Sequence, residues 1–309
     1  MDEKNMQFAN FNITFGENDD PMLEHFEDII YPAFTGDYIR GKKTQVPYYF
    51  FDDVRIKEID NEYVLVGNYI KVTEYKVVTT MQDGILVSTP SDVPTAPYSR
   101  FIVFLKNHRM VLIRNETNSP DIRSFQKTVR EILNTYIWEA NRERENGKKL
   151  PIAIVNIVDI PMKDSIEEVL KNVNKVNWIK LRFFPLNNDL DPLPLAQSFR
   201  EDMNRMGCKT GNVTFNSPTS KNGIKKVIEE TGGMAVATMQ VTDTDGEKRK
   251  IKEGAFSSTT KIEYEGNVSS SGDEYLISQA NKRGIISNTS PDNAKLFERM
   301  KGVIKRLMN

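Results

Sequence analysis

Residues 99–137 constrain the fold more than any other stretch of this chain. Phe101-Ile102-Val103-Phe104-Leu105 is apolar, Lys106-Asn107-His108-Arg109 is polar, and Met110-Val111-Leu112-Ile113 is apolar again. Two short apolar runs about a polar break predict a hairpin of buried strands. Ser119-Pro120-Asp121 then opens a helix, in which Ile122, Phe125, Val129, Ile132, Leu133, Tyr136 and Ile137 recur at spacings of three and four. That spacing puts them on one face. A buried hairpin followed by an amphipathic helix fixes the centre of an α+β domain.

The flanking sequence extends this reading. Phe11, Ile13 and Phe15 alternate with Asn10, Asn12 and Thr14, which predicts a half-buried strand with a small irregularity near Phe8. Asp20 and Pro21 suit the N-cap and first position of a helix running to Tyr31 and ended by Pro32. Residues 48–59 and 63–78 read as strands, with Gly67 as a bulge. Gln82-Asp83-Gly84 is a hairpin turn, and Pro90, Pro94 and Pro97 mark a rigid connection. Asn146-Gly147 ends the long helix, and the charged tail around it suggests a boundary near 147–150. The expected organisation is an antiparallel-rich N-terminal domain, 1–147, and a mixed α/β C-terminal domain, 148–309. In the latter, strands at 152–158, 178–184, 213–215 and 234–241 alternate with helices at 164–173, 193–206 and 220–230, then give way to hairpins. That order predicts a mixed sheet covered by helices. Asp164 with Glu167 forms a capping-box variant. Residues 267–273 read as a flexible loop, and Ser290-Pro291-Asp292 caps a final helix.

Composition narrows the class. At 39% hydrophobic and 28% charged, the 309 residues are those of an ordinary globular protein. No apolar run is long enough to span a membrane, and the first residues lack the basic start and apolar stretch of a signal peptide, so no direct membrane insertion is expected. Cys208 is the sole cysteine, which rules out an internal disulfide and fits the cytoplasm. The net charge of −1 hides an asymmetry: residues 1–150 hold 19 Lys and Arg against 23 Asp and Glu, whereas 203–309 hold 17 against 12.

Most chemical signatures fail on spacing. Residues 36–44 approach a phosphate-binding loop, but Lys43 stands where the magnesium-binding hydroxyl is required, and Pro32 and Pro47 crowd the flanks. His25 and His108 are the only histidines and have no second ligand at zinc spacing. Neither they nor Cys208 form a nucleophile–base device on the sequence. Asp243-Thr244-Asp245-Gly246-Glu247 resembles part of a calcium loop without its terminal glutamate, and reads better as a turn. Asp52, Asp53, Glu58, Lys261 and Glu263 have the residue types of a metal-dependent nuclease without its spacing. No catalytic residue, metal ligand or cofactor is therefore expected. The basic segments are more informative. Lys225 and Lys226 lie on a helix, and Lys248-Arg249-Lys250-Ile251-Lys252 is a strand. Alternation puts Lys248, Lys250 and Lys252 on one face, suited to phosphates; a lysine-protected edge strand is the structural alternative. Lys225, Lys226, Lys248, Arg249, Lys250 and Lys252 are the candidate nucleic-acid contacts.

Two stretches carry a family resemblance: SRFIVFLKNHRMVLIRNETNSPDIRSFQKTVREIL and NVTFNSPTSKNGIKKVIEETGGMAVATMQVTDTDGE. In element order and hydrophobic pattern across 45–265 they resemble the RexA-like sensors of bacterial phage-exclusion systems. The resemblance implies a two-domain cytoplasmic homodimer that binds DNA with little sequence preference and signals infection to a partner such as a membrane effector. It carries over no individual residue. A metal-dependent nuclease and a protein-only module recognising a phage component are the competing expectations.

Overall fold

The computed structural model describes residues 2–145, 147–187, 194–257, 259–284 and 289–308. Strand β1 (Asp2–Phe15) is the axis of a 10-stranded sheet. Its polar–apolar alternation is not a solvent-facing pattern, because both faces are covered. Met6 and Phe8 enter one core, while Ala9, Phe11, Ile13 and Phe15 enter the other. The expected irregularity near Phe8 is this change of cores along a regular strand.

After β1, β2 (Asp20–Pro21) pairs back onto Phe15 and Thr14. Asp20 therefore caps nothing, and helical residues run past Pro32 rather than ending there. A 3₁₀ turn (Met22–His25) passes into a π turn (Phe26–Ile30) and then α1 (Tyr31–Thr35). Pro32 falls in the first turn of that last segment, and the Asp28 carbonyl four residues before it accepts instead from the Tyr136 hydroxyl at 2.8 Å.

The meander follows: β3 (Ile39–Lys42), β4 (Gln45–Ile59), β5 (Glu62–Gln82), β6 (Ile85–Thr95), β7 (Tyr98–Phe104) and β8 (Arg109–Arg114). Asp83 and Gly84 take positive φ, 49° and 80°, as the Asp-Gly hairpin turn requires. The prolines at 90 and 94 lie within β6, a strand bonded to β5 alone, so their missing donors face no partner. Gly67 is not a bulge. A Cβ there would stand 2.7 Å from the Phe101 ring, so glycine admits that ring. The bulge lies opposite, between Asp52 and Arg55 of β4. Helix α2 (Ile122–Arg142), capped by the Asp121 carboxylate accepting from the Ser124 N–H, lays Ile122, Phe125, Val129, Ile132, Leu133 and Ile137 on the sheet.

Strand β9 (Ala153–Asp159), which follows the expected boundary, joins the larger sheet on β1. The chain then leaves it. Helix α3 (Lys163–Lys171), β10 (Val173–Phe183), α4 (Pro194–Arg205), β11 (Gly211–Asn216), α5 (Lys221–Glu229), β12 (Ala235–Asp243) and β13 (Lys248–Lys252) build a second, 4-stranded sheet in the order β11-β10-β12-β13. Met162, not Asp164, occupies the N-cap of α3 and makes no side-chain cap bond. Strand β14 (Thr259–Tyr264) returns to pair with residues 2–7 of β1, beyond the stretch that holds β9. Departure and return are clasped by a bridge between Pro161 and Ser257 and by the Met162 N–H donating to the Phe256 carbonyl at 2.9 Å. The smaller sheet is thus an insertion between two strands lying in line on β1. Helix α6 (Asp273–Asn281) covers one face of the larger sheet and α7 (Pro291–Leu307), capped by Ser290, covers the other.

The fold is α+β: an antiparallel β-rich N-terminal domain and a C-terminal unit mixing helices with strands. The expected mixed sheet is antiparallel at every pairing. Strands β11 and β12 do run in the same direction, joined by α5, but β10 lies between them. Buried amides weld the two sheets: Asn12 Nδ2 donates to the Pro185 carbonyl at 2.8 Å and its Oδ1 accepts from the Asn187 N–H at 2.8 Å. The supposedly flexible 267–273 stretch is an anchor. Val268 and Asp273 are fully buried, and the Arg100 guanidinium holds the Asp273 carboxylate through Nε at 2.9 Å and Nη2 at 2.8 Å. Among the described residues no helix is long and apolar enough to cross a membrane.

Candidate nucleic-acid interface

The smaller sheet has two unlike faces. On one, Ile179, Leu181, Phe183, Ala237, Met239, Val241 and Ile251 form a core with Ile166 and Leu170 of α3, Met203 of α4, and Ile224 and Ile228 of α5. The register fixes the other. Gln240 lies opposite both Trp178 and Lys250, Thr238 opposite Lys180 and Lys252, and Thr242 opposite Lys175 and Lys248. Directly opposed residues share a face. This second face therefore carries Lys175, Lys180 and Arg182 from β10 and Lys248, Lys250 and Lys252 from β13. Between them run Thr238, Gln240 and Thr242, and Asn212, Thr214 and Asn216 of β11 flank them. These strands place no carboxylate on it. All six cations are exposed, and none forms a salt bridge among the described residues. The half-buried Trp178 lies among them, with Lys250 Nζ 5.8 Å from its ring centroid.

Alternate lysines on β13 stand about 7 Å apart, and neighbouring strands about 4.8 Å apart. The result is a cationic lattice on a rigid support. Its rigidity follows from the sequence: Ile179, Leu181 and Phe183 of β10 and Ala237, Met239 and Val241 of β12 alternate with polar residues and are gripped by the helices beneath.

The six candidate residues divide. Lys248, Lys250 and Lys252 share the open face as their alternation required. Arg249 points the opposite way and is ion-paired with Asp243. Lys225 and Lys226 sit on α5, across the sheet; Lys225 pairs with Glu167 and Lys226 with Glu230 at 3.8 Å. Those three cations are neutralised within the fold. Lys180, Arg182 and Trp178 complete the face and had a signal of their own, because Trp178-Ile179-Lys180-Leu181-Arg182-Phe183 alternates with period two.

At the Arg182 and Lys252 end, the face meets the junction of the sheets. Burial, then the nearby carboxylates of Glu253 and Asp121, push the Asp159 carboxyl up to about 7, against the pull of Arg123. Burial also raises Glu253, while Arg123, Arg182 and Lys252 lower it. The other sequence candidates do not converge. Asp53 accepts from Arg100 Nη1 at 3.1 Å, whereas Lys261 pairs with Glu3 at 2.6 Å on β1. Among the described residues no three His, Cys, Asp or Glu side chains are grouped to hold a metal ion. Residues 36–44 form β3 and a turn, with no helix N-terminus to face a phosphate. His25 lies 3.4 Å from Asp28. His108 is fully buried with φ 52°, its ring nitrogens make no hydrogen bond among the described residues, and burial lowers its pKa to about 3.

Fold and site together define an α+β protein bearing an open, cation-lined antiparallel sheet. Comparison with protein-family models, curated proteins and solved structures finds no match.

Proposed function

We propose that this protein binds single-stranded nucleic acid, without sequence preference, on the open face of its smaller sheet. The observation that carries this reading is the set of six cations around Trp178, none in a salt bridge among the described residues, the Glu253 carboxylate reaching two of them, Arg182 and Lys252, at one end. Cations that fold-internal acids leave unneutralised are available to phosphates, and releasing the counterions of a nucleic acid drives the association. A tryptophan inside a flat basic field offers a stacking platform, worth about 1–3 kcal/mol per base and indifferent to base identity. A duplex hides its base faces, so Trp178 favours single strands.

The resemblance to phage-exclusion sensors supports invading nucleic acid as the physiological ligand, with binding relayed to a partner protein. Anisotropy titrations with a fluorescent oligothymidine and a duplex of equal length test the binding itself. A Trp138→Phe background leaves Trp178 as the only tryptophan. Binding of the single strand should quench its fluorescence and exceed duplex affinity at equal salt. Absence of binding at low salt, or binding without quenching, overturns the reading.

A further inference from the structure

Residues 36–44, which approach a phosphate-binding loop in sequence, border a cavity at the far edge of the larger sheet. β3 is the last strand of that sheet, opposite the β14 edge to which the chain returns from the smaller one. The cavity, of about 250 Å³, is lined by Asp37, Tyr38, Lys43, Tyr48, Phe50 and Phe51. Register sets its floor. Phe50 lies opposite Ile39, and Tyr48 stands two residues from Phe50, so all three share one face of the hairpin. The Tyr48 and Phe50 rings are half-buried, 6.2 Å apart and 23° from parallel.

The wall beside this floor is fixed. The Tyr38 ring meets Tyr136 of α2 edge-on at 5.8 Å. A Cβ at Gly36 would stand 2.7 Å from the Tyr38 ring, so glycine is what lets that ring fold back. Two charged groups stand at the ends. Asp37 precedes β3 and Lys43 follows it, and the four-residue strand between them is about 13 Å long. Both side chains are exposed, and neither forms a salt bridge among the described residues.

We infer that this cavity binds a nucleoside monophosphate whose base carries an exocyclic amine. Tyr48 and Phe50 offer the base an aromatic floor. The Asp37 carboxylate, an acceptor only, takes the N–H groups of the amine-bearing edge. The Lys43 ammonium meets the phosphate as a point charge. The placement of the two charges at opposite ends of β3 decides against a free amino acid, which carries ammonium and carboxylate on one carbon and reaches only one of the pair. The volume decides against a dinucleotide, since even drug-sized ligands occupy about 300–1,000 Å³. The site is separate from the open face of the smaller sheet and does not depend on that assignment.

Titration calorimetry of the full chain with guanosine monophosphate, guanosine and uridine monophosphate tests this. Guanosine monophosphate should bind with a dissociation constant of about 1 mM or tighter. Guanosine, which lacks the phosphate, and uridine monophosphate, whose base lacks the amine, should each bind about tenfold more weakly or worse. Lys43→Gln should weaken guanosine monophosphate about tenfold and leave guanosine unchanged, and Asp37→Asn should abolish the preference over uridine monophosphate. Circular dichroism of both variants, each altered at an exposed side chain, should match the wild type. Lys248→Gln with Lys250→Gln and Lys252→Gln should bind guanosine monophosphate as the wild type does, which separates the cavity from the open face. No binding of guanosine monophosphate at about 5 mM overturns the inference. Equal binding of guanosine or uridine monophosphate, indifference to Lys43→Gln, or loss in the triple variant overturns it as well.

Discussion

Replacing Lys248, Lys250 and Lys252 together by glutamine removes half of the open face's charge while leaving its strand in place. All three side chains are exposed and in no salt bridge among the described residues, and Ile251, which anchors β13, is untouched. The change in folding stability should therefore stay within about 0.5 kcal/mol per site. Binding should respond much more. Each phosphate contact to a single strand contributes about 0.7 to the slope of log affinity against log salt, so six contacts give a slope near −4 and three a slope near −2. Between 50 and 200 mM salt the wild type should lose affinity about 300-fold and the triple variant about 20-fold. Anisotropy with an oligothymidine at four salt concentrations measures both slopes. Lys225→Gln with Lys226→Gln is the control, because those lysines are ion-paired on the opposite side of the sheet. An unchanged slope in the triple variant, or an equal fall in the control, would refute the assignment.

Three further outcomes follow from buried charge. His108 has a folded pKa of about 3 against 6.5 unfolded, so below pH 6.5 the unfolded chain binds the extra proton, and stability falls by about 1.4 kcal/mol per pH unit. Calorimetry should show the wild type losing about 2 kcal/mol more than His108→Asn between pH 6.5 and 5, asparagine being tolerant of the positive φ. Asp159 has the opposite sign: its folded pKa of about 7 exceeds the unfolded 3.8, so its destabilisation is absent at low pH and grows to at most ~4 kcal/mol by pH 8. Asp159→Asn should accordingly melt above the wild type at pH 8 and level with it at pH 4; a gain at both would place the effect elsewhere. Asp273→Asn should cost about 3–5 kcal/mol in urea denaturation, because it weakens the buried partner of both Arg100 and Lys57; a loss below 1 kcal/mol would show that 267–273 is not an anchor.

Local pattern revealed what local physics decides. The hairpin at 99–113, helix α2 with its Asp121 cap, the Asp83-Gly84 turn and the cap at Ser290 depend on neighbouring residues alone. The alternation that put Lys248, Lys250 and Lys252 on one face is equally local, and the same rule applied to residues 178–182 points to Lys180 and Arg182. The pairing of residues 2–7 with 259–264 has no local signature, since it joins segments more than 250 residues apart. Hence the inserted position of the smaller sheet was hidden. Polar residues misled wherever distant partners satisfied them. Asn12 reads as solvent-facing until Pro185 and Asn187 meet it, and Asp273 reads as loop until Arg100 does. For Lys225 and Arg249, clustering in sequence concealed that Glu167 and Asp243 already neutralise them.

Lysine acetylation footprinting, with and without a single-stranded oligonucleotide, tests the open-face assignment most directly. Lys180, Lys248, Lys250 and Lys252 should be protected by the bound strand, while Lys226, exposed on the opposite side, should react at an unchanged rate. Protection confined to Lys226, or no protection of the four at saturating oligonucleotide, would contradict it.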